Sequence, residues 1–121
     1  MKVVASLLAL ILVLPCFASA EAELTFKNVG SNNRPQAKVF LVVGGKRTAI
    51  TTVLGTAFGD NLISDRSWIP AGAVSALGAV WPRGESDMYV LKKGHAYLVY
   101  ARSSYGHAKK GPFKLLKTVK G

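Results

Sequence analysis

From residue 24 onward, the chain consists of short segments in which apolar and polar residues alternate. Turn-forming residues separate these segments about every ten residues, as Gly44-Gly45 and Pro70-Ala71-Gly72 do. Alternation with a period of two is typical of a strand with one buried face. Before its last segment the chain shows no sustained helical periodicity. The sequence therefore predicts an all-β fold, a small antiparallel β-sandwich or barrel of seven to eight short strands.

Individual segments carry more specific expectations. Residues 38–43 are apolar almost throughout, which predicts a strand buried on both faces. Gly44-Gly45 predicts a two-residue hairpin turn to a partner strand over 47–54, since both glycines can adopt positive φ. Residues 62–69 are interpreted as a weak strand and residues 82–87 as a loop.

The last segment, residues 112–120, fits two structures. As a strand it turns Phe113, Leu115 and Val119 inward, and as a helix it gathers the same residues with Leu116 on one side. Pro112 is a suitable first residue for a helix, and an anionic membrane surface can induce such a short one. The strand is favoured because the rest of the chain is β.

The first twenty residues have the three-part layout of a cleavable signal peptide. Lys2 gives a positive start, residues 3–14 are apolar except for Ser6, and Ala18-Ser19-Ala20 forms a small-x-small cleavage site. The apolar run is short for a membrane span, which needs about 20 residues. A retained anchor and a lipoprotein modified at Cys16 are the alternatives. We expect residues 1–20 to be removed, leaving 21–121 as a single domain in the periplasm or outside a bacterial cell, with no transmembrane span.

Positive charge is concentrated at the end of the chain. Without Lys2, 15 Lys and Arg oppose 6 Asp and Glu, a net charge of +9. Residues 88–121 hold +8 of this charge and no acidic residue. Such asymmetry favours anionic partners. The candidate anion-binding residues are Lys92, Lys93, Arg102, His107, Lys109, Lys110, Lys114, Lys117 and Lys120.

Catalytic patterns are weak by comparison. Cys16 is the only cysteine, and His95 and His107 are the only histidines, so the chain lacks a metal-ligand spacing. No Gly-x-Ser-x-Gly motif holds a serine as a nucleophile. We therefore expect no enzymatic activity, no metal and no cofactor. Because Cys16 lies in the leader, the mature domain must fold on its hydrophobic core without disulfides.

The sequence favours a secreted, non-catalytic binding protein for an anionic envelope polymer or membrane surface, with residues 92–120 supplying the contact surface. An interaction module such as an inhibitor, docking an acidic protein, is the alternative, and an unrecognised hydrolase comes third. Nucleic acid is not expected as the main partner of an exported protein. Tyr97 and Tyr100, three apart on a strand, would also point to opposite faces rather than form one stacking platform.

Overall fold

The computed structural model describes residues 21–81, 84–105 and 111–121. The predicted signal peptide lies outside this part of the chain. The described residues form eight strands: β1 Ala22–Ser31, β2 Arg34–Val43, β3 Lys46–Leu54, β4 Thr56–Gly59, β5 Ala73–Trp81, β6 Gly84–Lys93, β7 Ala96–Tyr105 and β8 Lys114–Lys120. A 3-10 turn, Asp60–Leu62, follows β4. The prediction of a small antiparallel all-β fold is confirmed.

The strands form two sheets in chain order. β1, β2 and β3 make a three-stranded sheet, and β4 to β8 make a five-stranded one. Every pairing is antiparallel and joins neighbours in the sequence. The chain passes between sheets at Gly55, whose φ of 112° favours glycine. The Gly55 N–H donates to the Pro35 carbonyl at 2.8 Å, which fixes this crossing point.

The two sheets pack face to face over one hydrophobic core. Its largest fully buried side chains come from both sheets: Val39, Leu41, Leu77, Met88, Val90 and Val99. Side chains also tie the β1 edge to the larger sheet. The Leu24 N–H donates to Ser75 Oγ and the Ala57 N–H to Asn28 Oδ1, both at 3.0 Å. These contacts join β1 to β4 and β5 at the edge where no backbone ladder connects the two sheets.

The prediction that 38–43 is buried on both faces is wrong. Val39 and Leu41 are buried, but Lys38 is exposed and Phe40 is only half-buried. On the outer face, Phe40 is covered by a long side chain instead of a second layer, since the Arg47 guanidinium lies 4.2 Å from the centre of its ring. The Gly44-Gly45 hairpin turn is confirmed, with φ of 55° and 81°.

Two segment predictions are also corrected. Residues 62–69 form no strand, because local polar contacts hold this segment in turns: the Ser67 N–H donates to Asp65 Oδ1 at 3.0 Å, and Arg66 binds Asp60. Of the predicted loop 82–87, residues 84–87 belong to β6. Pairing of Trp81 with Gly84 continues the β5–β6 ladder through this polar stretch.

The last segment is a strand, so the helical alternative does not apply. β8 pairs with β7 and forms the outer edge of the five-stranded sheet. Val119 is buried as expected, but Leu115 is 51% exposed and Leu116 45% exposed. A β-bulge between the partners of Val99 and Tyr100 inserts one extra residue here and breaks the simple alternation.

Within the part of the chain that the structure describes, no helix has the length and apolar character required to cross a membrane.

Candidate anion-binding surface

The nine predicted anion-binding residues fall into three groups in the structure. Lys92 and Arg102 each form an ion pair. Lys93, Lys114, Lys117 and Lys120 are exposed, and none forms an ion pair with another described residue. His107, Lys109 and Lys110 lie outside the described residues.

Lys92 belongs to a small polar network at one end of the sandwich. Glu21 Oε2 accepts hydrogen bonds from Lys92 Nζ and from the Tyr97 hydroxyl, the latter at 2.7 Å. The Lys92 bond, and then the Tyr97 bond, hold the pKa of Glu21 below its ordinary value of 4.5. The Glu21 carboxylate in turn raises the pKa of Lys92. Because the carboxylate of Glu21 compensates its positive charge, Lys92 adds little to an anion-binding surface.

Replacing Glu21 with glutamine should flatten the acid side of the stability profile. A lowered folded-state pKa means that the carboxylate stabilises the fold fully above its ordinary value of 4.5, and that this contribution is lost as pH falls through the lower folded value. Wild type and Glu21→Gln should therefore differ in Tm near neutral pH and converge in strong acid. Thermal unfolding across a pH series measures this.

Lys92→Gln removes the first donor and should reproduce part of the Glu21→Gln effect. A Glu21→Gln variant whose Tm parallels that of wild type at every pH would contradict the stabilising role of this network.

Arg102 is held in an ion pair on the outer face of the five-stranded sheet. Its Nε donates to Asp87 Oδ2 at 3.1 Å, and the two side chains are only 18% and 9% exposed. The guanidinium also lies 4.5 Å from the centre of the Phe113 ring and 5.9 Å from that of Trp68. Carboxylate and aromatic faces thus surround the charge. Arg102 therefore offers little charge to an external anion.

Cross-strand register relates the exposed lysines to one another. Lys93 pairs with Ala96, which pairs in turn with Lys120, so both lysines project from the same face with one strand between them. Lys117 pairs with Val99, a residue whose side chain points into the core. β8 therefore presents cations on both sides of the sheet edge.

Lys117 and Lys120 meet a third lysine across the opening between the sheets. Together with Lys46 of β3 they line a groove of about 420 Å³. No aspartate or glutamate of the described chain lines this groove. Three lysines line this one opening and no described acidic side chain does, so the site raises the local concentration of anions. We call this site the lysine groove.

Lys46 was not among the residues that the sequence pointed to. It follows the Gly44-Gly45 turn and lies more than forty positions before the basic segment, in a region of nearly balanced charge. The packing of β3 against β8 places Lys46 and Lys117 in the same groove. A local sequence pattern does not predict such packing between distant segments. The hairpin turn is the one signal that places Lys46 at a strand end.

A cluster of metal-ligating or nucleophilic side chains among the described residues would indicate catalysis. Among the described residues, no three His, Cys, Asp or Glu side chains gather in a way that could hold a metal ion. Ser75, one of the conceivable nucleophiles, is buried and accepts the hydrogen bond from Leu24 N–H. His95 is exposed and lines an open cavity of about 900 Å³ together with Glu21, Glu23, Lys92 and Tyr97.

Comparison of the chain with protein-family models, with curated proteins and with solved structures finds no match.

Proposed function

We propose that this chain is a secreted, non-catalytic binding protein that holds an anionic group in the lysine groove. The ligand is a phosphorylated or carboxylated polymer of the cell envelope or a lipid head group. The observation that carries the proposal is the convergence of Lys46, Lys117 and Lys120 on one opening that no described acidic side chain lines. An anion bound in this opening would be stabilised by the positive charge of the lysines that line it.

The backbone adds to the attraction. β3 and β8 are outer strands of their sheets, so alternate N–H groups along each lack a ladder partner on the groove side. Such N–H groups can donate to phosphate or carboxylate oxygens at the same place where the ammonium groups lie. Long-range attraction and short-range hydrogen bonding are then available in one site.

Lysines on an edge strand also discourage pairing with other chains. That role accounts for Lys114, Lys117 and Lys120 taken alone, since all three lie on β8. It does not require that Lys46, at the start of a strand in the other sheet, line the same groove. The convergence across the two sheets therefore favours a ligand.

The test is a salt series with purified protein, expressed with its own leader, on heparin, acidic cell-wall polymer, and anionic and neutral vesicles. Lys46→Ala/Lys117→Ala/Lys120→Ala should lower the log–log slope of affinity against salt by about one for each lysine removed. The matched control is Lys27→Ala/Arg34→Ala/Lys38→Ala, which removes the same charge from exposed positions of β1 and β2.

Loss of binding in the groove variant with retention in the control would support the proposal and show which polyanion to pursue. Equal losses in both variants would assign the attraction to net charge and not to the groove. Absence of binding at low salt would overturn the proposal and favour the alternative of a protein partner.

A further inference from the structure

The opening between β3 and β8 has a second, apolar part. Next to the lysine groove along β8 lies a cleft of about 390 Å³. The cleft reaches Met88 and Ala101 on the inner face of the five-stranded sheet, and Leu115 and Leu116 of β8 line it. Met88 belongs to the fully buried core. The cleft therefore borders the hydrophobic core, while Met88 itself stays fully buried. We call this part the apolar cleft.

Both walls of the apolar cleft are distorted where it lies. The β2–β3 ladder shifts register between Val39 and Phe40, which leaves Ile50 as the extra residue of β3, next to Thr51 in the cleft wall. The β7–β8 ladder shifts between Val99 and Tyr100, which leaves Leu116 as the extra residue of β8. A bulge bends its strand and re-aims side chains, and bulges are frequent beside binding sites. Each of the two strands that border the cleft thus carries one bulge.

The exposed leucines carry a cost that a ligand would offset. Leu115 and Leu116 keep about half of their surface exposed at an edge that is otherwise rich in lysine. Burying apolar surface stabilises by about 25 cal/mol for each Å² removed from water. A hydrocarbon chain in the apolar cleft would cover Leu116, the bulge residue, together with Val53 on the opposite wall, while Leu115 borders the cleft on the side of its outward-facing partner Tyr100.

Charge at the cleft indicates the kind of hydrocarbon. Lys114 lines the apolar cleft, and Lys117 of the lysine groove is three residues further along the same strand. Arg102 also lines the cleft, with its charge held by Asp87. No described acidic residue lines either part of the opening. An apolar interior next to a row of ammonium groups is complementary to an anionic amphiphile.

We propose that the apolar cleft binds the hydrocarbon chain of an anionic amphiphile, whose head group lies at Lys114 and the lysine groove. This inference rests on the proposed function and assigns the lipid class to its ligand. The cleft volume falls within the range of about 300–1,000 Å³ usual for small-molecule sites. A protein partner would need a much larger surface, on the order of 800 Å² on each side, to bind stably.

The test uses octyl, decyl and dodecyl phosphate below their micellar concentrations, with inorganic phosphate as the probe without a chain. Binding to the purified protein is measured by titration calorimetry. Each methylene group that enters the cleft should tighten binding about fourfold, so decyl phosphate should bind about sixteenfold more tightly than octyl phosphate. The gain should level off once the chain is longer than the cleft.

Two variants separate the roles of chain and head group. Leu115→Ser/Leu116→Ser removes one wall at half-exposed positions and should abolish most of the dependence on chain length. Leu54→Ser/Leu62→Ser is the matched control, because these leucines are 58% and 71% exposed and do not line the cleft. Lys114→Ala should weaken all three alkyl phosphates by a similar factor.

The outcomes distinguish this inference from the proposed function. Affinity that does not change with chain length, while polyanions still bind the lysine groove, would overturn the amphiphile and leave the groove proposal standing. Loss of chain-length dependence in the Leu54→Ser/Leu62→Ser control would also overturn it. Failure of alkyl phosphates and polyanions alike at low salt would overturn both.

Discussion

Asp87→Ala is expected to lower the free energy of unfolding by about 3 kcal/mol. The substitution leaves the Arg102 guanidinium without its carboxylate in a site where its side chain is only 18% exposed. Removing one partner of a buried ion pair costs about 3–5 kcal/mol, and the residual exposure of Arg102 places the effect near the lower end. Urea unfolding followed by circular dichroism gives the value.

The double variant Asp87→Ala/Arg102→Ala should lose less stability than the two single variants added together, because no isolated charge remains. The matched control is Asp60→Ala, which breaks an exposed ion pair. The Asp60 side chain is 45% exposed and that of its partner Arg66 is 53% exposed. An exposed pair contributes up to about 1 kcal/mol. Similar losses for Asp60→Ala and Asp87→Ala would contradict a structural role for the buried pair.

Leu41→Ala should also destabilise the protein by about 3 kcal/mol. Leu41 is fully buried on the central strand of the three-stranded sheet and packs in the core shared by both sheets. Truncation removes apolar contacts and leaves a cavity, at a cost of about 2–5 kcal/mol. The shift in the urea midpoint at an unchanged slope measures the loss.

Leu54→Ala is the control for this substitution. Leu54 lies in the same sheet, at the end of β3, but is 58% exposed. Its truncation should change the free energy of unfolding by about 0.5 kcal/mol or less. Equal effects at Leu41 and Leu54 would mean that the packing of the sheets is not what stabilises the fold.

Local patterns were sufficient for the fold class and for several turns. The Gly44-Gly45 hairpin followed from two adjacent glycines, and the strand character of the last segment followed from its β context. One prediction was wrong because the outcome depended on distant partners. Residues 84–87 are polar enough for a loop, yet pairing with β5 and β7 holds them in a strand.

The sequence predicted which segment supplies the positive charge of the site, but not how the two sheets arrange the residues around it. Charge asymmetry pointed to the segment that becomes β8, and Lys117 and Lys120 do line the lysine groove. The sequence gives no sign that Lys92 is paired with Glu21, 71 positions away, or that Lys46 joins the groove. Both depend on how the two sheets pack, and neither leaves a local periodicity. The bulges in β3 and β8 beside the apolar cleft are equally absent from a pattern of alternation.

The chain-order topology has a consequence for how the protein acquires its structure. Each sheet is built from one uninterrupted stretch of sequence, with Gly55 between them. Pairing between sequence neighbours keeps loop-closure costs low and favours rapid folding for a β protein. A chain that emerges with its N-terminus first can therefore complete the small sheet once Leu54 is free. The larger sheet consists of successive hairpins, and β8, with its lysines, is the last strand to leave the site of synthesis.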